Sequence, residues 1–273
     1  MKSRTFKKGR FLFLTSAFVS MAMTLGAWSC SVGANQTRQK GTAALDALIA
    51  AYPDFLARYD ERDLIWKDGT RMALLSGQGN RSPDEIIEHP FIEDIFAWDY
   101  PAGAVPAPPI NGADPGRARP TEFFAKMYGD CRSNSVFKNL AAVTWVDGTQ
   151  IMFSTVNNAN RALAAVVEDL KSLGSNFAQY ISPAAGTYSC RVIAGTDLTS
   201  MHSYGAAIDI NTSYSDYWRW SRGKRAIWRN QIPMEIVSAF ERHGFIWGGR
   251  WTHFDTMHFE YRPELLLAAK REH

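Results

Sequence analysis

Cysteine is scarce in this 273-residue sequence: there are three, and no cluster of them. That excludes a structural metal centre held by thiolates. Acidic residues are missing altogether from the first 34 positions, which carry Lys2, Arg4, Lys7, Lys8 and Arg10. These five account for the apparent basicity of the chain. Without residues 1–34 there are 25 Lys and Arg against 27 Asp and Glu, a net charge of −2 where the whole has +3. A protein with no cationic surplus exerts little electrostatic pull on a nucleic acid, so none is expected as a partner. Hydrophobic residues at 46% and charged residues at 21% give the balance of a globular rather than a disordered chain.

After the basic start, 18 uncharged residues run from Phe11 to Trp28, "FLFLTSAFVSMAMTLGAW". The pattern predicts a secretory signal over 1–34, and three fates stay open for it. Cleavage after Ala34 would leave Asn35 first. Acylation at Cys30 is the second, although Ala27, Trp28 and Ser29 lack the Leu usual in a lipoprotein signal. An uncleaved anchor is the third, since the run sits at the lower edge of a spanning length. Each puts the folded part outside the cytoplasm, periplasmic or otherwise extracytoplasmic, with the membrane involved only through an N-terminal anchor or lipid. Cys131 and Cys190 then meet an oxidising compartment. A single disulfide is predicted, with two separate buried thiols as the alternative.

Residues 35–43, "NQTRQKGTA", read as a tether. Leu45, Leu48, Ile49, Tyr52 and Leu56 recur at helical spacing, which predicts an amphipathic helix over 44–59 interrupted near Pro53. "DLIWKDGTRMALL" and "VTWVDGTQIMF" each predict a hairpin, turning at Asp68-Gly69 and Asp147-Gly148. Six of the 12 prolines fall between Pro101 and Pro120, a density that predicts a linker or long wrapped loop. It marks a candidate boundary between an accessory region, 44–119, and a main domain, 120–268. There, Leu163, Val166, Val167, Leu170 and Leu173 predict a helix stopping before Gly174. "PMEIVSAFERHGF" predicts another, with Pro233 near its first turn and Gly244 after its last.

Two short stretches alternate like strands. In "AAIDIN", Ala207, Asp209 and Asn211 point one way; in "MHFEY", His258 and Glu260 share a face. A buried Asp is costly unless something positive sits beside it. His202 lies just before the turn at Ser203-Tyr204-Gly205, so the chain can bring it close to Asp209. Two imidazoles and a carboxylate make a good zinc set that leaves a fourth position open, the pattern of a catalytic rather than a structural metal.

Spacing alone is weak, because 27 acids meet any fixed offset from six histidines by chance. The wider context is specific. Ser-x-His-x-x-Gly-x-Ala-x-Asp (Ser200, His202, Gly205, Ala207, Asp209), then "GFIWGGRW" and "DTMHFEY", closely resembles the D-alanyl-D-alanine carboxypeptidase type of zinc peptidase, the LAS metallopeptidases. The group includes D-Ala-D-Ala dipeptidases, phage L-Ala-D-Glu endolysins and the hedgehog signalling domains. The resemblance covers residues 186–266 and extends back to 120. It implies an α+β fold with helices against a small, mainly antiparallel sheet, and residues 120–268 as the zinc peptidase domain.

The resemblance also implies His202, Asp209 and His258 as zinc ligands, and peptidoglycan stem peptides as substrate. It implies Asp255, three residues before His258, as the carboxylate that takes a proton from the attacking water and gives it to the leaving amine. A loop cap is the bland alternative for Asp255. Arg191 occupies the place of a family arginine that polarises the scissile carbonyl. Both Cys131 and Cys190 precede arginines, so a disulfide would bring Arg132 near Arg191, suiting a terminal carboxylate. Glu260 is either a partner for a ligand imidazole or an exposed carboxylate. Ser200 is a motif residue near the ligands or substrate. His253 is either a substrate contact or a surface residue; His243 suits a helix end and His89 a loop. "YSDYWRWSRGKRAIWRN" interleaves Arg219, Arg222, Lys224, Arg225 and Arg229 with aromatics, suiting wall glycan or stem peptide, or a packed insertion flanking the cleft. Three functions follow: a D-Ala-D-Ala carboxypeptidase, an L-Ala-D-Glu endopeptidase, or a non-catalytic zinc-containing wall-binding module. Asp255 beside a full ligand set favours a catalyst.

Overall fold

The computed structural model describes residues 41–75, 81–103, 108–109, 112–193, 196–221 and 225–271. The predicted signal segment, most of the tether, and Arg222 and Lys224 lie outside them.

Helix α1 occupies residues 41–51 and turns Leu45 and Leu48 inward. It therefore takes in the last three residues of the predicted tether. It stops before Pro53, which has no amide hydrogen to continue the ladder. The helix predicted to run to 59 does not resume: Leu56–Tyr59 is strand β1, antiparallel to β2, Asp63–Trp66. Leu56 is buried in either conformation, so spacing could not distinguish them; pairing with β2 decides. The Asp68-Gly69 turn then leads to β3, Arg71–Ala73. Gly69 takes a positive φ of 85° there, and the Asp68 carboxylate accepts the Thr70 amide at 2.9 Å.

Helix α2, Pro83–Glu88, starts on a capping box between Ser82 and Glu85. Helix α3, Thr121–Tyr128, follows the proline-rich stretch. The second predicted hairpin is β4, Leu140–Thr144, and β5, Gln150–Ser154. Next come α4, Ala159–Ser172, and the short α5, Ala178–Ile181. The remaining elements are β6, Ala207–Asp209; α6, Met234–Arg242; β7, Phe245–Trp247; β8, His258–Tyr261; and α7, Pro263–Arg271. The fold is thus α+β, with small antiparallel sheets flanked by helices. The described strands form three sheets rather than one, in the orders β1-β2-β3, β4-β5 and β6-β8-β7.

The third sheet positions the chemistry, because its two faces look into different cores. Ile208, Phe245, Trp247, Phe259 and Tyr261 join a cluster with α4, α6 and the β4–β5 hairpin. Ala207 and Ile246 turn the other way, towards Leu45 and Leu48 of α1, Leu64 and Trp66 of β2, Phe123 and Phe124 of α3 and Leu265 of α7. Period-2 alternation puts Asp209, His258 and Glu260 on that second face. Segments from before residue 120 therefore cover the polar face of this sheet. The described residues, from 41 onwards, form one compact unit.

Candidate metal centre

Ser200 begins the local structure that presents His202. Its Oγ accepts the His202 amide at 3.4 Å and caps the 3-10 turn Met201–Tyr204. The turn closes on Gly205, left-handed at φ 64°; a Cβ there would lie 2.4 Å from the Leu140 side chain. The chain enters β6 and ends it on Asp209, directly opposite His258 of β8. Opposed residues on antiparallel strands share a face, so register alone brings this carboxylate and imidazole together.

His202 Nε2 lies 3.2 Å from His258 Nδ1 and 3.2 Å from Asp209 Oδ2, and Asp209 Oδ1 lies 3.0 Å from His258 Nδ1. One donor atom from each of the three residues falls within 4.8 Å of the others, a cluster able to hold a metal ion. A tetrahedral ion with bonds of about 2.0–2.1 Å separates its donors by about 3.3 Å, so the spacing fits. The far ring nitrogens are committed elsewhere. His202 Nδ1 faces the Thr187 carbonyl, and His258 Nε2 lies 3.1 Å from Glu260 Oε2. Donation on that side leaves the lone pairs of His202 Nε2 and His258 Nδ1 facing the centre.

Glu260 is therefore a buried partner of the imidazole and not an exposed carboxylate. Arg119 Nη2 reaches its Oε2 at 2.8 Å and Arg262 Nη1 its Oε1 at 3.1 Å. Arg262 in turn donates to Glu264, which accepts the Tyr52 hydroxyl of the segment after α1 at 2.7 Å. Burial would push Glu260 up, but the arginines and His258 hold it at about 2. Burial opposes charging His258 too, yet without a cation Asp209 and Glu260 raise it to about 9, so a bound metal would displace the proton from Nδ1. Asp209 is likewise desolvated, and the two imidazoles hold it well below the usual carboxylate range.

Asp255 enters from the loop before β8. Its amide donates to Gly248 at 3.0 Å and its carbonyl accepts the His258 amide at 3.3 Å. The carboxylate Oδ1 is buried with no hydrogen-bond partner in the structure. A loop cap would spend that oxygen on a backbone amide; here it is uncommitted. Burial first, and then the like charge of Asp209, push the group up to about 6, against the pull of His258, Arg117 and Arg191. Asp255, Asp209 and His258 line one cleft of about 230 Å³ with Arg117, Arg191 and Tyr217.

Arg191 is fixed through its backbone: the amide donates to Ser203 Oγ at 2.9 Å, and the carbonyl accepts from Ser200 at 3.2 Å. Cys131 and Cys190 form the disulfide, with Cα atoms 5.6 Å apart. Beside it Arg132 and Arg191 line a second cavity of about 340 Å³, so only Arg191 borders both spaces. His253 is held by Asp114, at 2.6 Å from Nδ1 to Oδ2, and packs edge-on against Trp218. His243 lies 2.8 Å from Asp169, and His89 ends α2. From the basic aromatic stretch Tyr217 reaches the cleft, while Trp220, Arg225 and Arg229 line a separate cavity of about 410 Å³.

Sequence reasoning missed Arg117, Arg119, Arg262 and Glu264. A signal existed for two of them. "HFEYRPE" carries His258, Glu260, Arg262 and Glu264 at alternate positions, so the strand pattern continues past Tyr261. Arg117 and Arg119 alternate inside "GRARP", where no periodic element tells which way they face.

Residues 194–261 match the family model described as D-alanyl-D-alanine carboxypeptidase. No curated protein and no solved structure matches the chain. The match takes in His202, Asp209, Asp255, His258 and Glu260. Arg117, Arg119, Arg132, Arg191 and both disulfide cysteines lie outside it.

Proposed function

We propose that the chain is an exported zinc-dependent peptidase that hydrolyses an amide of peptidoglycan stem peptides, of the D-Ala-D-Ala carboxypeptidase type. Residues 1–34 direct export, the stretch up to 40 tethers, and 120–268 hold the peptidase groups, with 41–119 completing their core. One observation carries the reading: a buried, uncommitted Asp255 oxygen belongs to a residue lining the same cleft as Asp209 and His258, which cluster with His202 as metal donors. A binding module has no need of such a group. The family match over 194–261 supports the substrate class.

His202 Nε2, His258 Nδ1 and an Asp209 oxygen would hold the ion. Zinc bound there supplies a Lewis acid that activates water and polarises the amide carbonyl. Asp255 takes the proton of the attacking water and hands it to the leaving nitrogen, which departs as a neutral amine. Its raised pKa suits both halves of that task, since a group near 6 is a competent base and a usable acid close to neutrality. Arg191, which lines the cleft, would stabilise charge developing on the carbonyl oxygen. Glu260 and Thr187 hold the imidazoles in the tautomer that offers a lone pair to the ion.

Digestion of purified muropeptides by zinc-loaded protein, read by mass spectrometry, tests the reading. Release of a terminal D-Ala is expected. Internal cleavage would instead assign an L-Ala-D-Glu endopeptidase. Zinc-loaded protein that leaves every muropeptide intact would indicate a binding module.

A further inference from the structure

Arg117 belongs to the proline-rich stretch ahead of the family match, in a segment pinned at almost every residue. Ala113 exchanges hydrogen bonds with Thr252 at 2.8 and 3.0 Å. The Asp114 carboxylate takes both the amide and Nδ1 of His253. The Pro115 carbonyl accepts Trp251 Nε1 at 2.6 Å, and the Gly116 carbonyl accepts from Arg119 at 3.0 Å and Arg262 at 2.7 Å. Gly116 is required there: φ is 91°, and a Cβ would meet Ile246 at 2.4 Å. The backbone that presents Arg117 is therefore preorganised, which lowers the ordering cost of binding.

The side chain lines the cleft, with its guanidinium 5.3 Å from the centre of the Trp251 ring. Its Nε is buried with no hydrogen-bond partner, and the nearby Asp114 carboxylate is bonded to His253 instead. Arg119, two residues on, is neutralised by Glu260. A half-buried guanidinium stacked on an aromatic face and lacking an anion is a binding site awaiting one. The charge balance of the cleft agrees. With a dication on Asp209, and with Arg119 paired to Glu260, Arg117 and Arg191 face Asp255 and, on the Arg117 side, Asp114, whose carboxylate is already bonded to His253. The cleft then keeps a positive surplus, which an anionic ligand would offset.

We propose that Arg117 binds the substrate carboxylate, selecting amides whose leaving residue carries a free α-carboxylate. The inference rests on the peptidase reading above and deepens it. Arg117 lines the same cleft as Asp255, so it addresses the neighbourhood of the group that protonates the leaving nitrogen. Both candidate bonds satisfy the requirement: a terminal D-Ala and an internal D-Glu each leave as an amine bearing an α-carboxylate. Planar, two-pronged recognition of a carboxylate is the task that distinguishes arginine from lysine.

The test uses zinc-loaded full chain, with two muropeptides that expose a terminal D-Ala or an internal L-Ala-D-Glu bond. Each is compared as the free acid and as the α-carboxamide of the leaving residue. Wild-type protein should favour the acid about 10- to 100-fold in kcat/KM. Arg117→Gln should erase that preference, mainly through KM on the acid, while retaining zinc; Arg117→Lys should restore only part of it. An unchanged acid-to-amide ratio in Arg117→Gln overturns the proposal. If wild-type protein cleaves neither muropeptide, the peptidase reading fails, and calorimetric binding of the same four ligands decides Arg117 alone. Selective binding of the acids, lost in Arg117→Gln, supports it, and equal or absent binding overturns it.

Discussion

Asp255 and His258 stand three residues apart and fail in different ways when changed. Asp255→Asn keeps shape and donor set but removes the proton acceptor, so turnover should fall about 10²–10⁴-fold with zinc still bound. His258→Ala removes a candidate ligand, so metal and activity should disappear together. Zinc content and muropeptide cleavage, measured on both variants, separate these outcomes; full turnover in zinc-bound Asp255→Asn would rule out Asp255 as the base. The pH profile adds a sign. Asp255 works as a base only when ionised, so the rate should fall as pH drops through its pKa. Burial and Asp209 place that pKa at about 6, and a bound cation would draw it lower. The acid limb of kcat/KM should therefore lie at or below about pH 6 and be absent from Asp255→Asn. These residues could be read from sequence because both fall inside the short stretch, DTMHFEY, that carries the family resemblance. Arg117 could not, since its orientation depends on Trp251 and Thr252, more than 130 positions later, which pin its loop.

Strand β8 and its continuation show how one element serves two purposes. One face carries Phe259 and Tyr261 into an apolar core; the other carries His258 and Glu260, and Arg262 after the strand and Glu264 in the first turn of α7 extend the charged chain. A chain of buried charge this dense is tolerated only because each group meets an opposite one. Arg119 is the member from outside the element. Arg119→Met should leave Glu260 with Arg262 and His258 alone, destabilising the fold by about 3–5 kcal/mol. Glu260→Gln should instead act on the metal, weakening zinc by about 10–100-fold by loosening the His258 ring. Chemical denaturation and chelator competition on both variants check the pair; equal zinc affinity in Glu260→Gln would show that the ring is held by packing alone. The hairpins were legible because Asp-Gly dictates its own turn. Strand β1 was not, because nothing local separates Leu56 on a helix from Leu56 on a strand once the partner β2 is unknown.

At the scale of the whole molecule, segments far apart in sequence converge on one site. The Cys131–Cys190 bond ties the end of α3 to the segment that leads into His202, closing a span of 59 positions. In exported protein both thiols should resist alkylation until reductant is added, and reduction should remove about 2–4 kcal/mol of stability; free labelling of native oxidised protein would contradict the bond. The proline-rich stretch suggests a boundary by composition, because proline excludes regular structure wherever it is dense. Composition does not report what the loop touches. Here Ala113 to Arg119 lies against Trp251, Thr252, Glu260 and Arg262. Upstream of it, Leu45, Leu48, Leu64 and Trp66 share a core with Phe123, Phe124 and Leu265. A chain beginning at Pro120 would expose that core, strip Arg119 from Glu260 and remove Tyr52 from Glu264. Loss of the buried Arg119–Glu260 pair costs about 3–5 kcal/mol and loss of the Tyr52 hydrogen bond about 1.5–3 kcal/mol, together comparable to the whole stability of a typical domain. Such a chain should fail to fold cooperatively and should not retain zinc, although it contains every residue of the family match. Near-ultraviolet circular dichroism and metal analysis after gel filtration check this. A truncated chain that is folded, zinc-loaded and active would show that residues 44–119 only accompany the site.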